Sequence, residues 1–177
     1  PLNDGYLIGL KHHRLGFKVM YLYNSGRFTT FLDFFLKYTT QALTVFYSGR
    51  EHNTEGIEFK DGFLSKNSIN EVISKNTNKD VHVMFITDTL GGGSIFDINN
   101  SPNMISFYVE KTGDVDSKEV KKTHGIFTYY FCKITSECPS ISTNRLVERI
   151  NPSISRFGEM FKCEVANSEQ CEKPIFF

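Results

Sequence analysis

An aspartate followed by three glycines is the part of this sequence with the clearest potential for chemistry. Asp88 comes two residues after the short apolar run Val81–Ile86, and Gly91, Gly92 and Gly93 follow it. Such a run, bounded by polar residues, is typical of a strand buried on both faces. Ligands and catalytic groups collect at the carboxyl ends of strands in open α/β sheets, and glycines let the backbone turn sharply there. A functional site is therefore expected at this turn.

A second apolar run ends in a comparable loop. Leu43–Tyr47 leads into Ser48 and Gly49, and His52 lies a few residues further on. Neighbouring parallel strands have their carboxyl ends at the same edge of the sheet. We therefore predict that the Leu43 and Val81 strands are adjacent and parallel, with the loops at Ser48 and Asp88 at one edge.

The sequence contains no motif with the residue spacing of a known nucleotide-binding or zinc-binding site. The glycine turn at Gly91–Gly93 matches neither a P-loop nor a dinucleotide fingerprint, so a nucleotide-binding module is only an alternative. The four cysteines contain no CxxC pair, which argues against zinc and favours free thiols in a reducing cytosol. No cofactor and no metal are expected.

The elements that position the two loops alternate between helices and strands. Helices are predicted over 3–15, from Thr29 or Thr30 onward, from a capping box at Ser68 and Glu71, over 125–133 and over 143–150. The second of these helices is expected to bury Phe31, Phe34, Phe35 and Tyr38. Strands are predicted over 17–23, 43–47, 81–86, 104–109 and 174–177, with a small hairpin at Asp61-Gly62. This order predicts a mostly parallel sheet between helical layers, a three-layer α/β/α sandwich.

Composition predicts one domain and excludes some partners. The chain has 177 residues, 40% of them hydrophobic, and its 20 basic and 20 acidic side chains cancel. That balance favours neither nucleic acid nor an anionic membrane as a partner. No apolar run is long enough to span a bilayer, and a cytoplasmic location is expected. Seventeen phenylalanines and no tryptophan predict a core rich in phenylalanine.

Several short motifs, in this order, resemble the caspase-like cysteine peptidases, and among them the metacaspases. The motifs span nearly the whole chain: Asn3-Asp4, Leu15-Gly16-Phe17, Tyr47-Ser48-Gly49-Arg50, Asp88-Thr89-Leu90-Gly91-Gly92, His124-Gly125-Ile126-Phe127-Thr128 and the closing QCEKPI. The resemblance implies the caspase-hemoglobinase fold over a single domain, residues 1–177. It also implies a further strand ahead of Asn3, so either the chain is a fragment or another segment takes the place of that strand.

The two catalytic positions of the family are substituted. Arg50 stands where the resemblance implies the catalytic histidine, and Leu90 stands where it implies the nucleophilic cysteine. Leucine has no lone pair for attack on a carbonyl, and arginine stays protonated and cannot act as a general base. His52 is close to Arg50 in sequence but has no nucleophile to activate. The expected activity is therefore none, and the expected role is that of a pseudopeptidase.

A remnant of the substrate pocket is expected from the same resemblance. Metacaspases hold the basic side chain before the cut with two acidic residues, whose matching positions here are Asp4 and Asp88. Two carboxylates facing a cleft can hold arginine or lysine through charge-assisted hydrogen bonds. In the alternative arrangement Arg50 pairs with Asp88 and closes the pocket. The family's dense acidic calcium site has no counterpart in this sequence.

The resulting functional prediction is binding without catalysis. The partner is a protein or a basic peptide, with an active peptidase of the same family as one candidate, and neither nucleic acid nor membrane is expected. Ser48, Gly49, His52 and the three glycines would form the loops of the cleft. The alternatives are an active cysteine endopeptidase with a relocated nucleophile, for which Cys132 is the candidate, and the nucleotide-binding module.

Overall fold

The computed structural model describes residues 2–49, 55–76, 80–89, 93–98, 103–112 and 125–176. Within these ranges, the helices are α1 (Leu2–Arg14), α2 (Phe28–Tyr38), α3 (Lys66–Lys75), α4 (Ile126–Glu137) and α5 (Thr143–Ile154). The strands are β1 (Ala42–Gly49), β2 (Gly56–Phe59), β3 (Gly62–Ser65), β4 (His82–Thr89), β5 (Met104–Lys111) and β6 (Glu159–Val165).

The main sheet has four strands in the order β1-β4-β5-β6. β4 is parallel to both β1 and β5, and β6 is antiparallel to β5. The sequence-based prediction of adjacent, parallel Leu43 and Val81 strands is therefore confirmed, as is the mostly parallel α/β class. β2 and β3 form the separate hairpin expected at Asp61-Gly62, where Gly62 adopts a φ of 145° that strongly favours glycine.

Hydrophobic clusters cover both faces of this sheet. Met84 and Ile86 point into a cluster with side chains of α1, α4 and α5, whereas Val83 and Phe85 point into a cluster with α2 and α3. Successive side chains of a strand point to opposite faces, so an apolar run without alternation is what a doubly covered strand requires. The helices thus lie in two layers with the sheet between them.

The strand predicted over 17–23 is wrong. Residues 17–23 form neither helix nor strand, and Val19, Met20, Tyr21, Leu22 and Tyr23 are all exposed. The segment is rich in apolar and aromatic residues, but a strand exists only when a neighbour pairs with its backbone. Within the described chain, no strand pairs with this segment.

Two further predictions about elements need correction. The predicted buried face of α2 included Phe34 and Tyr38, yet both are exposed and the helix buries Leu32 and Leu36 instead. The predicted last strand at 174–177 is also wrong, because Pro174 makes only an isolated bridge to Ser142 and Phe177 lies outside the described residues.

Two features were predicted inaccurately or missed. Ser68 does not cap α3; it donates its backbone N–H to the side chain of Ser65, which is the N-cap. β6 was not predicted at all, although Phe161, Cys163 and Val165 follow the two-residue period of a strand.

Among the described residues, no helix has the length and apolar character to cross a bilayer.

Candidate functional site: two aspartates at the first turn of α4

The parallel pairing of β1 and β4 brings the two predicted loops to one edge of the sheet. In this register Ser48 lies directly opposite Asp88, one residue before each strand ends. Both side chains lie on the sheet face that α1 and α4 cover, because they keep the alternation set by Phe46 and Ile86. Asp4, in the first turn of α1, reaches the same place.

Asp4 connects three elements. Its Oδ2 accepts a hydrogen bond from Ser48 Oγ of β1 at 3.1 Å, and its Oδ1 accepts one from the Gly125 backbone N–H, just before α4, at 2.6 Å. The residue is 3% exposed. A buried carboxylate must be hydrogen-bonded to be tolerated, and these two contacts supply that.

Asp88 contacts the same helix start from the sheet. Its Oδ2 accepts hydrogen bonds from the hydroxyl of Thr128 and, at 3.3 Å, from the Thr128 backbone N–H. Thr128 is fully buried. Asp4 and Asp88 therefore both hold the first turn of α4, one through Gly125 and the other through Thr128.

The sequence of α4 explains why two distant carboxylates are found there. The N-cap is Gly125, which has no side chain to accept the unpaired N–H groups of the first turn. In a capping box, local side chains accept the N–H groups of the N-cap and of the third helical residue. Those two groups belong here to Gly125 and Thr128, and Asp4 and Asp88 accept them instead. Negative charge at a helix N-terminus also interacts favourably with the helix dipole.

Neighbouring groups shift the pKa of Asp88 in both directions. Burial raises the pKa of Asp88 above its ordinary value, and the nearby negative charge of Asp4 raises it further. The hydrogen bonds from Thr128 and the positive charge of the amino terminus act in the opposite direction. The negative charge of Asp4 thus disfavours the ionised form of Asp88, and a bound cation would relieve that repulsion.

Gly125 has no room for a side chain at this site. A methyl group there would overlap Asp88 Oδ2, whereas a methyl group at Gly5 of α1 would meet no atom within 4 Å. We expect Gly125→Ala to lower the free energy of unfolding by about 1–3 kcal/mol, because the buried carboxylate must move. Gly5→Ala is the control, and should be neutral or stabilising by about 0.5–1 kcal/mol. Urea denaturation followed by circular dichroism measures both. Equal effects would show that Asp88 does not contact Gly125.

Gly49 and Gly93 are two further described members of the predicted cleft loops. Gly49 follows Ser48 on β1, and a side chain there would overlap the hydroxyl of Tyr47. The N–H of Gly93 donates to the carbonyl of Val109 at 3.4 Å, and the φ of Gly93 is 113°. This N–H is thus used within the chain, which does not favour the phosphate cradle of the nucleotide-binding alternative. Arg50, His52, Leu90, Gly91 and Gly92 lie outside the described residues.

Cys132, the candidate for a relocated nucleophile, lies in an unfavourable environment. It is half-buried on α4, and burial raises its pKa to about 11. The thiolate is the nucleophilic form, so at neutral pH this cysteine is almost entirely the unreactive thiol. The active-peptidase alternative gains no support from Cys132.

His12 is not available as a base either. Its Nδ1 donates to the carbonyl of Ile8 at 2.8 Å, and its Nε2 is 3.0 Å from the hydroxyl of Thr44. Burial lowers its pKa, so the neutral ring accepts from Thr44. His12 thus links α1 to β1 as a structural residue.

Gly125 and Thr128 were not among the predicted site residues, although they contact the two aspartates directly. In the sequence, their motif indicates only the start of a late helix. One local signal was present: α4 begins with a glycine and has no acidic residue in its first turn, so its N–H groups require acceptors from elsewhere. Which side chains accept them depends on contacts between distant parts of the chain, with sequence separations of 121 and 40 residues.

Comparison with protein-family models and with curated proteins finds no match to this chain.

Proposed function

We propose that this chain is a catalytically inactive caspase-like domain, closest to the metacaspases, that binds a partner protein through a basic side chain. The observation that carries the proposal is the convergence of Asp4 and Asp88 at the edge where β1 and β4 end. This is the place where the resemblance implies recognition of arginine or lysine. The substitutions at Arg50 and Leu90 remove both the base and the nucleophile.

The donors that hold the two aspartates support a role in binding. Ser48, Gly125 and Thr128 supply neutral hydroxyl and backbone N–H groups, which orient the carboxylates. A guanidinium or ammonium group placed beside both carboxylates would offset their mutual repulsion. Charge-assisted hydrogen bonds of this kind contribute about 1.5–3 kcal/mol each. The site thus favours a cationic side chain over a neutral one of the same shape.

Binding can be tested with two peptides that differ only in charge. We expect a fluorescein-labelled peptide with a central arginine to bind at least about tenfold more tightly than the same peptide with citrulline, which keeps the shape and loses the charge. Fluorescence anisotropy measures both affinities. Asp4→Asn and Asp88→Asn should each weaken binding of the arginine peptide by about tenfold and leave the citrulline peptide unchanged.

Asp33→Asn is the matched control, because it removes the same charge from an exposed position on α2. If the two peptides bind equally, or if Asp33→Asn has the same effect as Asp88→Asn, the proposed pocket is wrong.

The absence of catalysis is tested separately. Peptides with arginine, lysine or aspartate before the scissile bond should release no product, with or without calcium. Turnover that iodoacetamide abolishes would contradict the assignment as a pseudopeptidase.

A further inference from the structure

A polar cavity of about 430 Å³ lies near the carboxyl end of β5. This volume falls within the range of small-molecule sites, about 300–1,000 Å³. Tyr108, which lines the cavity, pairs with Thr87 in the register of β4 and β5, and Asp88 is the residue after Thr87. Tyr108 and Asp88 therefore point to opposite faces of the sheet. The cavity is thus distinct from the Asp4–Asp88 site. Its ionisable lining residues are Lys66, Asp97, Tyr108, Glu110 and Glu164.

One side of the cavity is a part of the sheet that the hydrophobic cluster of α2 and α3 does not cover. Among the described residues, Met104 is the single member of that cluster from β5, and β6 contributes none. Further along the same face of β5, Tyr108 and Glu110 line the cavity, and Glu164 lies on this face of β6 because it is opposite Ser106. Ionisable side chains thus stand where the rest of this face carries apolar packing.

Hydrogen bonds hold the loop of residues 93–97, which forms another side of the cavity. The hydroxyl of Ser94 lies 3.0 Å from the hydroxyl of Ser106 on β5. The Asp97 backbone N–H donates to Asn70 Oδ1 on α3 at 2.7 Å. The loop is therefore fixed both to the sheet and to a helix, and the cavity is built into the fold.

Two opposite charges in this cavity have no ionic partner within the described part of the chain. Lys66 Nζ donates to the carbonyl oxygen of Ser94 at 2.7 Å, and its ammonium group forms no ion pair there. Glu164 accepts a hydrogen bond from the Tyr108 hydroxyl at 2.9 Å and also forms no ion pair. Both groups can therefore pair with charges that a ligand supplies.

The position of Lys66 supports a role toward an anionic group. Lys66 is the first residue of α3, after the N-cap Ser65. A positive charge at a helix N-terminus interacts unfavourably with the helix dipole, so the helix itself gains nothing from this side chain. An anionic ligand group beside Lys66 would interact favourably with the ammonium group and with the dipole.

The whole lining carries an excess of negative charge. Three carboxylates, from Asp97, Glu110 and Glu164, line the cavity together with one ammonium group, that of Lys66. Lys162 is 3.8 Å from Glu110, but both side chains are more than two-fifths exposed, at 41% and 43%. Exposed ion pairs of this kind contribute little, so this one leaves Glu110 available to a ligand. The complementary ligand thus carries more positive than negative charge.

We propose that this cavity binds a free basic amino acid, with its carboxylate at Lys66 and its cationic groups at Glu164 and Glu110. Such a molecule has one anionic and two cationic groups, which is the reverse of the charges in the lining. Burial and the Glu164 carboxylate raise the pKa of Tyr108, so its hydroxyl stays protonated and orients Glu164 at neutral pH. This site does not rest on the proposed function.

Three small molecules test the charge pattern. L-Arginine is the probe, agmatine is its analogue without the carboxylate, and L-citrulline is its analogue without the side-chain charge. We expect L-arginine to bind at least about tenfold more tightly than either analogue, because each analogue loses one charge-assisted contact. Isothermal titration calorimetry measures the three affinities. Agmatine that binds as tightly as L-arginine would overturn the proposal, as would equal binding of L-citrulline or the absence of saturable binding of L-arginine.

Variants assign the binding to this cavity. Lys66→Gln should weaken L-arginine by about tenfold and leave agmatine unchanged, whereas Glu164→Gln should weaken both. Tyr108→Phe, which keeps the ring and removes only the hydroxyl that holds Glu164, should also weaken L-arginine. The matched controls are Lys75→Gln, at the exposed end of α3, and Glu137→Gln, at the exposed end of α4, and neither should alter any affinity.

Asp88→Asn separates this cavity from the proposed cation pocket. The affinity for L-arginine should not change in this variant, because Asp88 lies on the other face of the sheet. A loss in Asp88→Asn together with normal binding in Lys66→Gln would place L-arginine at the two aspartates and overturn the inference. Failure of the arginine peptide to bind would contradict the cation pocket alone, since L-arginine binding that depends on Lys66 and Glu164 does not involve it.

Discussion

Replacing Phe107 with alanine is expected to lower the free energy of unfolding by about 3–5 kcal/mol. The side chain is fully buried on β5, and its ring centroid lies 5.9 Å from that of Phe131 on α4 and 5.5 Å from that of Phe161 on β6. Removing the ring would cost its transfer free energy and leave a cavity that three separate elements border. A domain of this size is typically stable by only about 5–15 kcal/mol, so most of the margin would be lost.

Phe34→Ala is the matched control for this change. The same atoms are removed, but Phe34 is 52% exposed on α2 and contacts Phe35 and Tyr38 on its own helix. We expect a loss below about 1 kcal/mol. Urea denaturation of both variants, followed by circular dichroism, measures the difference. Similar losses for the two variants would mean that the packing between the sheet and α4 is not as described.

Leu90→Cys is expected to introduce a thiol that iodoacetamide alkylates about 20-fold faster than Cys132. At pH 7.4, a thiol with an ordinary pKa near 8.5 has about 300 times the thiolate fraction of one with a pKa of about 11. The weaker intrinsic nucleophilicity of the less basic thiolate reduces this advantage by about 15-fold. Mass spectrometry of the digested protein after timed alkylation measures the rate at each cysteine.

Thr89→Cys is the control one residue earlier, because Thr89 is buried at the end of β4. Its thiol should react much more slowly than that of Leu90→Cys. If the two react at the same low rate, position 90 belongs to the core and does not correspond to a former nucleophile.

Adding Arg50→His to Leu90→Cys should give little or no peptide hydrolysis. Catalysis requires that the base and the nucleophile are placed to within a fraction of an ångström by a supporting shell of residues.

The features that the sequence determined are those encoded by neighbouring residues. The apolar runs at Leu43 and Val81 became parallel strands of the main sheet, and Asp61-Gly62 became a hairpin turn. In each case the signal is local: a strand covered on both faces needs consecutive apolar residues, and a turn with positive φ needs glycine. Residue type alone also determines that Arg50 cannot act as a general base and that Leu90 cannot act as a nucleophile.

Other features depend on which parts of the chain meet. Phe34 and Phe107 are equally apolar, but only Phe107 faces another layer. Residues 17–23 are rich in the apolar and aromatic residues typical of strands, yet within the described chain no strand pairs with them. β6 becomes a strand by pairing with β5 across about fifty residues of intervening chain. Burial and strand pairing are relations between distant segments, and a local pattern does not specify the partner.

The candidate site shows both contributions in one place. The resemblance to metacaspases implied Asp4 and Asp88 as a pair, and the register of β1 with β4 set Ser48 opposite Asp88. Only the tertiary structure decided that these carboxylates accept the first N–H groups of α4, through Gly125 and Thr128. The physical reason is that a helix beginning with glycine must find its acceptors elsewhere, and packing alone determines which side chains come within hydrogen-bonding distance.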